Sequence, residues 1–235
     1  MLNKTCQMNK LLYFITTILL VANHPICAQQ VDSNTIFKTH RFNPTFIFLP
    51  SSLIITGIAV NGNAEEGFKK EIAEERNEHI PTFNTRIDNY LQYSPIAIAY
   101  ALDAAGYQSK TDLKNRTVIL LKGELLMTGL VFGLKRLTYQ LRPDNSNYLS
   151  FPSGHTAQAF AAAAFLNEEY KSKFKWMPWL AYGIATSVGM LRIANNKHYI
   201  SDVLVGAGLG ILSMKMSYLT HQYKWDKKYK NVPRF

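Results

Sequence analysis

Cysteine is nearly absent from this chain. It occurs twice in 235 residues, as Cys6 and Cys27. Both lie in an N-terminal stretch where Lys4 and Lys10 flank the start of the apolar run "LLYFITTILLVA", which is followed by "ICAQQ". That order of basic, apolar and small residues is expected of a signal peptide or N-terminal anchor over 1–28, with cleavage after Ala28. A chain processed there holds no cysteine, which excludes disulfide scaffolding and thiolate chemistry. Acidic residues are also scarce, 16 against 26 Lys and Arg, for a formal charge of +10. The basic residues are scattered among apolar segments rather than gathered with aromatics into a stripe, which argues against nucleic acid as a partner. Repeats at solenoid periods and low-complexity tails are missing too. Residues 29–235 therefore suit a single domain.

Long unbroken apolar runs are lacking as well, and the mean hydropathy is only −0.09. Apolar segments instead recur at 45–61, 90–106, 117–134, 157–166, 176–193 and 203–219, and none alternates strictly. They are expected to be helices, giving an all-α bundle of about six. Residues 62–87 turn charged and fit a short amphipathic helix and a loop. A full span needs about 20 apolar residues, and several segments are interrupted by Lys122, Glu124, Asp103 or a proline, so a soluble bundle competes with a membrane-embedded one. Charge favours the membrane. If helices alternate in direction, the connections 107–116 and 167–175 and the tail 220–235 share one side. Each carries at least three Lys or Arg, with Lys110, Lys114 and Arg116 in the first. The positive-inside tendency makes that side cytoplasmic and leaves 62–87 outside. With a cleaved signal this requires that 45–61, short and carrying Pro50, lie on or dip into the membrane without crossing.

Three clusters carry chemistry. The first is "KRLTYQLRP", with six residues between Lys135 and Arg142; the second is "PSGH", with Ser153, Gly154 and His155. The third is "RIANNKHYISD", with Arg192, His198 and Asp202. Taken singly each has a plain explanation: a cation at a helix C-terminus, a serine N-cap, a local His–Asp pair. Taken together they end one helix, begin the next, and bridge the last two, so alternating helices bring them to one end of the bundle. Guanidinium forks and a helix N-terminus suit phosphate oxygens. A histidine beside a carboxylate, with a second histidine opposite, suits nucleophilic and acid–base work. Metal binding by His155, His198 and Asp202 is disfavoured by three nearby cations and the lack of a second carboxylate, and no cofactor is expected. His24, His40, His79 and His221 have no such company and are expected at the surface or in loops.

In this order and spacing the clusters resemble the signature of the type-2 phosphatidic acid phosphatase family, which shares its pocket with vanadium haloperoxidases and bacterial class A acid phosphatases. The resemblance covers about residues 117–219, with one departure: Leu191 stands where the family has a serine before Arg192. It implies a helical bundle and a metal-independent phosphatase working through a phosphohistidine. By resemblance, His198 would be the nucleophile, Asp202 its orienter and His155 the acid and later the base. Lys135, Arg142, Ser153, Gly154 and Arg192 would hold the phosphate oxygens. The implied partner is a phosphorylated lipid at the outer face of a bacterial inner membrane, with lipid A phosphate favoured over undecaprenyl pyrophosphate or phosphatidylglycerol phosphate. The alternatives are a soluble periplasmic acid phosphatase and a non-catalytic binder of lipid phosphate.

Overall fold

Eight helices, and no strand, make up the described residues of the computed structural model, 45–62 and 67–221, all within one unit spanning 44–232. The expected signal segment 1–28 and most of the basic tail lie outside these residues. The helices are α1 (Thr45–Gly62), α2 (Phe68–His79), α3 (Ile87–Leu91), α4 (Ser94–Ala104), α5 (Leu113–Thr138), α6 (Gly154–Tyr170), α7 (Met177–Ala194) and α8 (Ile200–Leu219). All six expected helices are present, and the charged segment supplies the amphipathic α2.

The boundaries shift for local reasons. The expected helix over 90–106 is divided into α3 and α4. Pro95 has no N–H to donate to a continuing helix, and it sits instead in the first turn of α4. α5 begins four residues earlier than expected because Asp112 caps it, accepting from the N–H groups of Lys114 and Asn115, both at 3.2 Å. It ends at Tyr139, which takes the left-handed conformation (φ 44°) and returns its N–H to the Lys135 carbonyl. The early start moves Arg116 from a basic loop into α5, where it is fully buried and paired with Asp103 at 2.9 Å. Arg116 therefore does not belong to the exposed charge of that side.

α6 is the central helix. Its alanines 157, 159 and 161–164 are buried, and their small side chains let neighbours approach closely. α8 uses glycine for the same purpose on two faces. A Cβ on Gly206 would lie 2.6 Å from the Ser153 carbonyl of the loop into α6, and one on Gly208 would lie 2.6 Å from Ile54 and the Pro50 carbonyl of α1. Residues 50 and 54 of α1 thus lie against 208 of α8, and 57 lies against 205 and 201, so the two run antiparallel. The segment expected to lie on or dip into the membrane is packed lengthwise into the bundle.

Alternation places two sets of helix ends apart. At one, the Lys110 N–H donates to the Glu169 carbonyl, Tyr107 meets Phe174 edge-on, and Tyr218 donates to Glu169 at 2.6 Å. This end gathers the connections 107–116 and 167–175. His221, expected at the surface or in a loop, follows α8 there and is buried against Asn115 at 2.7 Å. The charges that interrupted the apolar runs find polar partners on neighbouring segments, with Glu124 accepting from Gln158 at 2.8 Å in a half-buried contact and Lys122 donating to Thr220 at 3.1 Å at the surface. α5 and α8 are long and apolar enough to cross a bilayer. α5 presents Leu121, Leu125 and Phe132 outward, Leu125 being 73% exposed.

Candidate active site

The opposite end collects the C-termini of α5 and α7 and the N-termini of α6 and α8. Asp202, in the first turn of α8, is fully buried. Its Oδ2 accepts from the Tyr199 N–H at 3.0 Å and from the Ser150 hydroxyl at 2.5 Å, and it faces His198 Nδ1 at 3.3 Å. Its main-chain carbonyl accepts from the Ser153 N–H at 2.9 Å. The α8 start, the "PSGH" loop and His198 are thereby joined through one residue. His198 is only 2% exposed. Burial pushes its imidazole down to about 4, with Asp202 opposing and Lys135 and Arg192 adding to the downward push. At neutral pH the ring is uncharged. With Nδ1–H donating to Asp202, the lone pair lies on Nε2.

Lys135 projects from the last turn of α5. It is buried, and its ammonium donates to the carbonyls of Leu149 at 2.5 Å and Ser150 at 3.3 Å. Arg142 follows in a loop closed by Arg142 N–H to Asn147 and Ser150 N–H to Gln140, at 3.0 and 2.9 Å. Burial and neighbouring Arg192 push its guanidinium below the ordinary value, while Asp144 and Asp202 oppose. Arg192, in the last turn of α7, donates from Nη1 to buried Asp88 at 2.6 Å. The Nε groups of Arg142 and Arg192 are buried without a hydrogen-bond partner among the described residues. Unpaired buried donors are costly. Two of them, on guanidinium groups within electrostatic reach of Lys135 and His155, define a site that an oxyanion would complete.

Ser153 is the N-cap of α6, accepting from the Thr156 N–H at 3.4 Å and the Thr156 hydroxyl at 2.9 Å. A Cβ at Gly154 would meet Val131 and Lys135 at ordinary contact distances, 3.7 and 3.9 Å, so packing alone does not require glycine there. His155 Nε2 lies 2.8 Å from the amide oxygen of Asn89. All eight sequence-predicted positions therefore meet at this end of the bundle.

Sequence reasoning missed the residues that hold them. Asp88 and Asn89 come from α3, and Asn195 ties that turn to the α7–α8 loop through the main chain of Thr85, at 2.9 Å in both directions. Lys197 pairs with Asp144 across the mouth, and Ser150 serves Asp202. Asp88, Asn89, Asp144 and Ser150 lie outside the three clusters, and Asn195 and Lys197 only fill the spacing of the third. Their partners are separated from them by about 50 to 110 positions, and no periodicity marks them.

Comparison with known proteins agrees in place. Residues 116–226 match the PAP2 superfamily. The lipid A 1-phosphatase of Porphyromonas gingivalis is 38% identical over 138 residues, 58% of this chain and 31% of the relative. The lipid A 4'-phosphatase of Helicobacter pylori is 30% identical over 114 residues, covering 43% of this chain and 54% of the relative. The chain thus spans about a third to a half of the length of these curated relatives. Among solved structures, Aquifex aeolicus LpxE aligns over 62% of this chain and 93% of its own, at 24% identity and a TM-score of 0.47.

Proposed function

We propose, from the match of residues 116–226 to the PAP2 superfamily, that this protein is a metal-independent lipid phosphate phosphatase, held in a bacterial inner membrane with its site facing the periplasm. The observation that carries the phosphatase reading is the pair of buried, unpartnered guanidinium N–H groups of Arg142 and Arg192 beside a neutral His198. Phosphate oxygens would accept from both, with Lys135 and the N–H groups opening α6 completing the cradle. His198 Nε2 attacks phosphorus while the bond to the ester oxygen breaks. His155 gives that oxygen a proton, and the lipid alcohol leaves. In the second step His155 takes a proton from water, the water oxygen attacks phosphorus, and the bond to His198 breaks, releasing inorganic phosphate. Asp202 keeps the His198 proton on Nδ1 in both steps, and the fixed cations stabilise the charge on the transferring phosphoryl group.

The outward apolar side chains of α5 favour a bilayer over bulk water as the bundle's surroundings. The basic connections at the far end favour a cytoplasmic position for that end. Similarity to the Porphyromonas gingivalis lipid A 1-phosphatase favours a lipid A phosphate as substrate. The test is inorganic phosphate release by the purified full chain offered lipid A, undecaprenyl pyrophosphate and phosphatidic acid in turn. Release from lipid A, blocked by vanadate, is expected. Release from none of the three, with lipid bound all the same, would make the protein a binder instead.

A further inference from the structure

α3 is a five-residue helix with two adjacent polar side chains that reach different parts of the site. Asp88 is buried and holds Arg192; Asn89 is at the mouth and holds His155. The turn that carries them is fixed against the α7–α8 loop by three hydrogen bonds of Asn195, to the Thr85 main chain and to Asp88 Oδ1 at 3.4 Å. Asn89 is therefore not a loose surface residue that happens to lie near an imidazole. Its backbone is anchored to the same loop that carries His198.

We propose that Asn89 is the positioning residue of the acid–base histidine, its amide oxygen accepting from His155 Nε2–H so that Nδ1 is the atom that gives and takes the proton. The inference rests on the phosphatase reading above. An amide oxygen can only accept, so the ring must keep a proton on Nε2 throughout the cycle. The second proton, on Nδ1, is taken up as the bound phosphate dianion offsets the charge of Arg192, Arg142 and Lys135 beside the ring, and it is the one that moves. In the first step it passes from Nδ1 to the ester oxygen as the phosphorus–oxygen bond breaks. In the second it is replaced by a proton from the attacking water. Without Asn89 the neutral ring can place its one remaining proton on either nitrogen and can turn about its side-chain bonds. A fraction of encounters then presents the wrong atom to the leaving group. Leu191 fits the same picture from the other side. Where the family has a serine beside Arg192, this chain has an apolar residue, and Asp88 of the same short helix fixes that arginine.

The test turns on the leaving group, because a general acid matters most when the departing oxygen is strongly basic. The full-length protein in detergent would be assayed on dihexanoyl phosphatidic acid, which releases an alkyl alcohol, and on p-nitrophenyl phosphate, which releases a phenolate needing little assistance. Asn89→Ala is expected to lower kcat/KM, which reports the leaving-group step and not the common hydrolysis of the phosphohistidine, about 10- to 100-fold on the alkyl substrate and by less than about 3-fold on the aryl substrate. Asn89→Asp keeps an oxygen acceptor and is expected to bring the two losses back together. Equal losses on both substrates in Asn89→Ala, or an Asp variant as selective as the Ala variant, would overturn the proposal. Wild-type protein inactive on both would instead overturn the phosphatase reading, and the proposal with it.

Discussion

His198 combines two demands that pull in opposite directions. A nucleophile must be unprotonated, yet this one lies among Lys135 and Arg192 and against a carboxylate that favours its charged form. Burial decides the balance, and the ring is neutral above about pH 4 rather than above its ordinary value near 6.5. An NMR titration of the imidazole nitrogens should place the midpoint well below 6 in the phosphate-free protein; a midpoint at 6.5 or above would contradict this. His198→Ala should cost more than about 1,000-fold in phosphate release while binding of the lipid persists, measured by turnover and by equilibrium binding side by side. The motif residues could be read directly from the sequence because their spacing repeats a chemical logic. Asp88, Asn89 and Ser150 could not, since each matters only through a partner that folding brings close.

Helix α8 shows how composition sets packing distance. Its glycines alternate between the α6 side and the α1 side, and each marks a place where backbone meets backbone. Gly208→Val would press two methyl groups against the Pro50 carbonyl and Ile54, and should cost about 1–3 kcal/mol. Gly183→Ala, with nothing within 4 Å, is the matched control and should leave the unfolding midpoint unchanged or slightly raised. A thermal melt of both variants in the same detergent separates a packing effect from a general intolerance of glycine replacement. The helices themselves were legible because apolar runs of this length have few other solutions. Their ends were not, since caps and breaks depend on single residues such as Asp112 and Pro95.

The alternation of helices gives the bundle two chemically different ends, one with the candidate site and one with the basic connections. A membrane would convert that difference into sidedness. With the two native cysteines replaced by serine, Ser146→Cys in the loop at the site end should react with an impermeant maleimide applied to intact spheroplasts. Lys173→Cys at the far end should react only after permeabilisation. The reverse pattern would invert the proposed orientation. Helix alternation anticipated that the connections 107–116 and 167–175 share one end, although Arg116, counted among their charges, is a buried partner of Asp103. Lys110, Lys171 and Lys173 keep that end basic without it.

Asp202 has a consequence for inheritance. One of its carboxylate oxygens serves the first turn of α8, the nucleophile and Ser150 together. Asp202→Ala would leave the Tyr199 N–H and the Ser150 hydroxyl without that acceptor, at about 1–3 kcal/mol each. Two alleles that are equally silent in an activity assay should then differ in a cell. One altered at 198 should leave normal amounts of a protein that still occupies its lipid and, in a strain carrying an intact second copy, competes with it and behaves as dominant. One altered at 202 should be depleted by quality control and behave as recessive, a difference that an immunoblot of membrane fractions would reveal.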